Sequence, residues 1–223
     1  VQAGGHADLG PGVLMRITAW TIDPDGQLSM TGDGDAQPLI TRACDADAGG
    51  DIGCSNGDPT TLGILMIDGD AHVDLTKAHW NTLDVDLGES LGQLPLPAQG
   101  TVTQSLFTGS RISSSPASLA WTDNEFVATT WTSNFGSPKL VGNSFTGVDF
   151  PVVVNNPADI SGIGSNQATG DPKERVFSYN GGVVTGHWKP EGVGSGIIHV
   201  VNGGNVQAGG HADLGPGVLM RIT

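Results

Sequence analysis

VQAGGHADLGPGVLMRIT fills residues 1–18 and returns letter for letter as residues 206–223, 205 residues further along the chain. A copy without drift marks a tandem array cut just past one period, a duplicated terminal segment, or a neighbour's segment carried in this chain. Each alternative concerns how the ends of the chain find partners. Within the stretch and just beyond it, Val13, Met15, Ile17 and Ala19 alternate with Leu14, Arg16, Thr18 and Trp20. That period of two predicts a β-strand over residues 13–22 with one apolar face. The preceding GGHADLGPG (residues 4–12) is glycine- and proline-rich and predicts a flexible leader.

A strand on a flexible leader can add itself to a sheet in another molecule, held by main-chain hydrogen bonds with alternate side chains in pockets. The expected donor side chains are Val13, Met15 and Ile17, or their copies Val218, Met220 and Ile222. This arrangement is similar to the donor-strand logic of extracellular pili. It predicts a homopolymer joined head to tail, and the likeness rests on VLMRIT and its leader alone.

The rest of the composition predicts short strands and tight loops. There are 35 Gly, 13 Pro and a Thr-, Ser- and Val-rich background. About a dozen strand-like segments follow one another, which predicts an all-β antiparallel β-sandwich, with a jelly roll as one arrangement. One domain is expected over residues 1–205, with residues 206–223 as donor strand or start of a next repeat. Residues 62–67 (LGILMI) predict a strand buried on both faces, and 82–87 (TLDVDL) a half-buried one with Asp84 and Asp86 outward. Residues 77–80 (KAHW) predict one helical turn, and residues 155–174 a long loop. No internal repeat beyond the terminal one is evident.

The formal net charge is −14 and the pI is near 4.4, which makes nucleic acid and anionic membranes poor partners. No apolar run approaches the roughly 20 residues of a membrane helix, so no membrane insertion is expected. The chain opens at Val1 without Met or an apolar leader, which predicts a removed export signal or an internal segment, and with it an extracellular setting. Cys44 and Cys54 bracket CDADAGGDIGC and, in a secreted protein, predict a disulfide closing that loop.

Three ligand and activity classes follow from the side chains. Calcium is the favoured ligand, at Asp45, Asp47 and Asp51, because hard carboxylate oxygens on a tight glycine-bearing loop suit Ca²⁺. DPDG (Asp23, Asp25), the Asp33/Asp35 pair and DGDAHVD (Asp68, Asp70, Asp74) are weaker versions of the same pattern. Cell-surface or matrix polysaccharide is the second class, should Trp121, Trp131 and Trp188 present aromatic faces; core burial is the competing assignment. Catalysis has no motif behind it: G-x-S-x-G, the phosphate loop and H-E-x-x-H are all missing from the sequence. The expected protein is therefore not an enzyme and needs no cofactor. It is a structural subunit of a secreted fibre, with a calcium-dependent adhesin repeat or a sugar-binding module as the alternative.

Overall fold

The computed structural model describes residues 1–43, 62–88, 98–114 and 118–223. Its strands are short, three to five residues in most cases, because glycine and polar turn residues interrupt each apolar alternation. They stack in three parallel sheets of seven, seven and nine strands. The first sheet begins with His6–Leu9, Gln27–Thr31 and His72–Thr76, the second with Leu14–Ile17, Leu39–Arg42 and His79–Asn81, and the third with Ala19–Ile22, Gly63–Ile67 and Leu83–Leu87. The chain visits the three sheets in rotation and so winds a β-solenoid of about eight turns.

This overturns the expected antiparallel β-sandwich. Alternating in/out strands ordinarily signal antiparallel sheets with one wet face, whereas parallel sheets are usually covered on both faces. A solenoid combines alternation with parallel pairing, because each sheet faces the solenoid's interior on one side and solvent on the other. The turn length also hides the repeat. Successive strands of a sheet are 19 to 27 residues apart in most turns, but 40 to 45 residues separate the paired strands on either side of residues 44–61, which fall within the second turn between Leu39–Arg42 and Gly63–Ile67.

Several local expectations change with the fold. The predicted strand over 13–22 is two strands, Leu14–Ile17 and Ala19–Ile22, in different sheets with a corner at Thr18. The supposed flexible leader holds His6–Leu9, paired residue by residue with Gln27–Met30. In Gly63–Ile67 only alternate residues are buried, and Ile64 and Met66 face outward. Lys77 is a corner residue and not part of a helix. The segment 155–174 contains the strands Ile163–Gly164 and Gln167–Thr169 and the start of a 3-10 turn, Pro172–Arg175.

Corners recur in register. From the third turn to the seventh, the corner before the second-sheet strand is a residue with positive φ: Lys77, Gln104, Asp123, Gly142 and Ser165. Five residues later, Thr82, Gly109, Ala128, Gly147 and Gly170 make the next corner the same way. Left-handed backbone costs a non-glycine residue about 1 kcal/mol or more, so the ladders on either side impose these conformations. At Gly100 the constraint is absolute, since a Cβ there would lie 2.0 Å from the Val73 carbonyl oxygen.

The interior is filled by columns of like side chains. Phe107, Phe126 and Phe145 stack with centroids 4.9 and 4.6 Å apart, which is the strand spacing itself. Trp80 and Phe177 close this column edge-on, and Trp121 packs edge-on against Trp131. Beside the apolar columns runs a buried polar ladder. The backbone N–H of Ala78 donates to Ser105 Oγ (3.0 Å), that of Ser105 to Asn124 Oδ1 (2.9 Å), that of Asn124 to Asn143 Oδ1 (2.9 Å) and that of Asn143 to Asn166 Oδ1 (3.0 Å). The corner turns each peptide away from the sheet, and the side chain one turn on supplies the acceptor it would otherwise lack.

Candidate assembly surface at the ends of the solenoid

The asparagine ladder ends on a carboxylate. Glu191 Oε1 accepts the Asn166 N–H at 3.0 Å and Asn166 Nδ2 at 2.7 Å, while Oε2 sits 3.4 Å from His199 Nε2. His199 Nδ1 lies 3.1 Å from the Tyr179 hydroxyl, and Trp188 packs edge-on against the imidazole. Burial pushes the His199 pKa down against the pull of Glu191, which favours the neutral imidazole, and Nε2 lies 3.4 Å from the Glu191 backbone carbonyl, to which it can donate while Nδ1 accepts the Tyr179 O–H. Burial and the Glu191 charge both push the Tyr179 hydroxyl upward. The cluster terminates the polar ladder inside the fold. A polar depression of about 420 Å³, lined by Asn166, Glu191 and Ser195 among others, lies beside it.

Beyond this cluster the cross-section changes. The second sheet ends at Gln167–Thr169, and the third continues through the long strands Val176–Val184 and Ile198–Val206 to Leu219–Ile222. Both long strands bend at NGG, with Gly181 and Gly203 at positive φ. On the outer edge Asn134, Asn155, Asn180 and Asn202 hydrogen-bond side chain to side chain. A small extra sheet pairs His187–Trp188 with His211–Ala212, and the two histidine rings lie 5.0 Å apart.

The last turn, residues 206–223, holds exposed apolar side chains. A cleft of about 290 Å³ opens there between Trp188, Val201, Val206, Leu214, Met220 and Ile222. Val206, Leu214 and Ile222 are 54%, 58% and 74% exposed. At the opposite end the first turn is half-buried: Val1, Ala7, Leu9, Met15 and Trp20 pack on the core from one side only. Solenoid repeats bury their apolar faces on neighbouring turns, and a terminal turn without a polar cap leaves its face uncovered.

The structure places the expected donor residues differently from the expectation. Val13 and Val218 lie in turns, while Met15, Ile17 and Met220 point inward as integral parts of the first and last turns. Among the described residues no groove of a missing strand receives them, because parallel turns stack on strand edges and do not interleave with another sheet; donor-strand complementation is thereby overturned. Trp121, Trp131 and Trp188, considered for sugar binding, are buried in the interior. Cys44, Cys54, Asp45, Asp47 and Asp51 lie outside the described residues. Among the described residues no group of three His, Cys, Asp or Glu is disposed to hold a metal. Asp68 lies close enough to Asp23 that burial, and then the like charge, raise its pKa.

Sequence reasoning missed Glu191, His199 and Tyr179, and with them the end cleft. The signal was present in NGG at 180–182 and 202–204, and in His-Trp at 187–188 against His-Ala at 211–212. These pairs are spaced by one turn. No family model matches the chain, and no curated protein or solved structure matches it significantly.

Proposed function

We propose that the chain is a structural subunit of an extracellular filament, a rigid β-solenoid that joins copies of itself head to tail through its two open ends. The observation that supports this best is the uncovered interior at the C-terminal end, where Leu214, Met220 and Ile222 line a cleft above Trp188. Parallel stacking gives the two ends different and complementary strand edges, so copies associate end to end in one polarity, as heterologous contacts do. Unpaired strand edges are themselves templates for pairing with another chain. The acidic surface keeps the sides of such rods apart by like-charge repulsion and leaves the ends as the sticky surfaces.

The test is negative-stain electron microscopy with mass photometry of the full chain across a concentration series. The expected result is linear oligomers of uniform width that lengthen with concentration. Particles that stay monomeric at every concentration would reject the structural-subunit reading.

A further inference from the structure

His187-Trp188 and His211-Ala212 stand 24 residues apart, one turn of the solenoid, and pair in parallel with His187 opposite His211. Successive side chains of a strand point to opposite sides. Trp188 is buried and Ala212 packs against the core, so the two imidazoles face outward, and both histidines are exposed. The backbone fixes their spacing on either side of the pair. The His211 N–H donates to Gly186 O and the Asp213 N–H to Trp188 O, each at 2.9 Å.

The other four of the six histidines are engaged elsewhere. His6 Nε2 lies 2.7 Å from Asp8 Oδ1, His72 Nε2 2.8 Å from Asp74 Oδ2 and His79 Nε2 2.7 Å from Thr108 Oγ1, while His199 is buried. His211 therefore differs from its own sequence copy. His6 stands opposite Gln27 and turns to a carboxylate, whereas His211 stands opposite a second imidazole.

The geometry of the pair suits one ion held between two rings. The ring centroids are 5.0 Å apart, with the planes at 68°. Zinc binds an imidazole nitrogen at about 2.0–2.1 Å, which puts each ring centre about 3.2 Å from the ion; two such rings stand about 5.2 Å apart at a tetrahedral angle and about 4.5 Å apart at a right angle. The observed separation falls between these values. Imidazole selects borderline ions such as zinc and copper over calcium and magnesium, which take oxygen ligands. The net charge of −14 raises the local concentration of cations around the chain. Two residues on, Lys189 and Asp213 follow the two histidines with opposite charges, so neither sign prevails beside the rings.

We propose that His187 and His211 bind one borderline divalent transition-metal ion, zinc or copper, with water completing its shell, and that the ion clamps the last turn to the turn before it. The two ligands belong to consecutive turns, so the ion is held only while the segment around His211 is seated, and binding and seating reinforce each other. The clamp acts where packing is thinnest, since Val206, Leu214 and Ile222 of the last turn are largely exposed. It goes beyond the filament reading and does not depend on whether copies join.

Isothermal titration of the full chain with Zn²⁺ and with Cu²⁺, beside its His187→Ala, His211→Ala and His6→Ala variants, reads the site. One ion per chain is expected at a site that loses at least about 10-fold in affinity in His187→Ala and in His211→Ala and is unchanged in His6→Ala. Copper should bind more tightly than zinc, and excess Ca²⁺ or Mg²⁺ should displace neither. Both substituted side chains are exposed; His187→Gln and His211→Gln, with circular dichroism as the check, guard against a folding effect and should lose the site as the alanines do. Ions held elsewhere on the chain remain in every variant, so the readout is the site that disappears. Hydrogen exchange tests the clamp: at free zinc 100 times its Kd, the amides of His211 and Asp213 should exchange about 100-fold more slowly in the parent and at an unchanged rate in His187→Ala. Absence of binding, binding that survives in both single variants, or an equal loss in His6→Ala overturns the site. Zinc binding that leaves exchange at His211 and Asp213 unaltered overturns the clamp.

Discussion

Replacing Asn143 by Ala should remove the centre of the buried ladder. Its Oδ1 accepts from the Asn124 backbone N–H and from Asn124 Nδ2, both at 2.9 Å. Its Nδ2 donates to Trp121 O (3.0 Å), Val141 O (3.1 Å) and Asn166 Oδ1 (3.1 Å). Alanine deletes all five bonds at a site that is 1% exposed. A net hydrogen bond is worth about 1 kcal/mol, and a buried group left unpaired costs about 1–3 kcal/mol. The Asn124 N–H loses its acceptor, while Asn124 Nδ2 keeps Val102 O and Asn166 Oδ1 keeps the Asn143 N–H. One orphaned donor plus the weakened bonds around it gives a loss of about 4 kcal/mol. For a chain of this size that corresponds to a fall in Tm of about 12 °C, and against a typical total of about 5–15 kcal/mol it is a large fraction. Urea and thermal denaturation followed by circular dichroism measure it, with Ser144→Ala on the exposed face as a control expected to change stability by less than about 0.5 kcal/mol. An Asn143→Ala chain within about 1 kcal/mol of the parent would refute a ladder of mutually dependent bonds.

The same melts test the remaining expectations. Gly100→Ala should cost about 3 kcal/mol or more, because a Cβ at φ +125° meets the Val73 carbonyl; a loss under about 1 kcal/mol would contradict that approach. Trp121→Ala should cost about 3–5 kcal/mol, well above Trp20→Ala in the half-buried first turn, and equal costs would mean that the end turn is covered in solution. Asp159 gives an acid signature. Burial works against its charge, but donors from Ser161 and Thr185 outweigh it and hold the carboxyl at about 2. Its contribution is therefore complete above about pH 4 and lost as pH falls toward about 2, about 1 kcal/mol once solvent screening is allowed for. Asp159→Asn should flatten stability across that window, and an unchanged acid slope would remove Asp159 as its source.

The strand content was legible because alternation is a local property. Leu83, Val85 and Leu87 point inward with Asp84 and Asp86 outward, as their spacing predicts. The direction of pairing was not legible, since Val85 meets Leu65 on one side and Ile112 on the other across separations of 20 and 27 residues. The column Ser105, Asn124, Asn143 and Asn166 was visible as letters, but its steps of 19, 19 and 23 residues are unequal and the turns before it are longer still. Glu191 and His199 carried no motif, because their meeting depends on where the ladder ends.

The amino-acid sequence determined that the chain is all-β, that short strands alternate inward and outward, and that its two ends carry one segment in duplicate. Only the tertiary structure decided what each duplicate became. The strand LMRI lies in the second sheet at residues 14–17 and in the third at 219–222. Ile17 is 7% exposed and Ile222 is 74% exposed. Identical side chains with identical propensities differ because burial belongs to the neighbours a residue is given. The first copy has later turns stacked over it and the last copy has none.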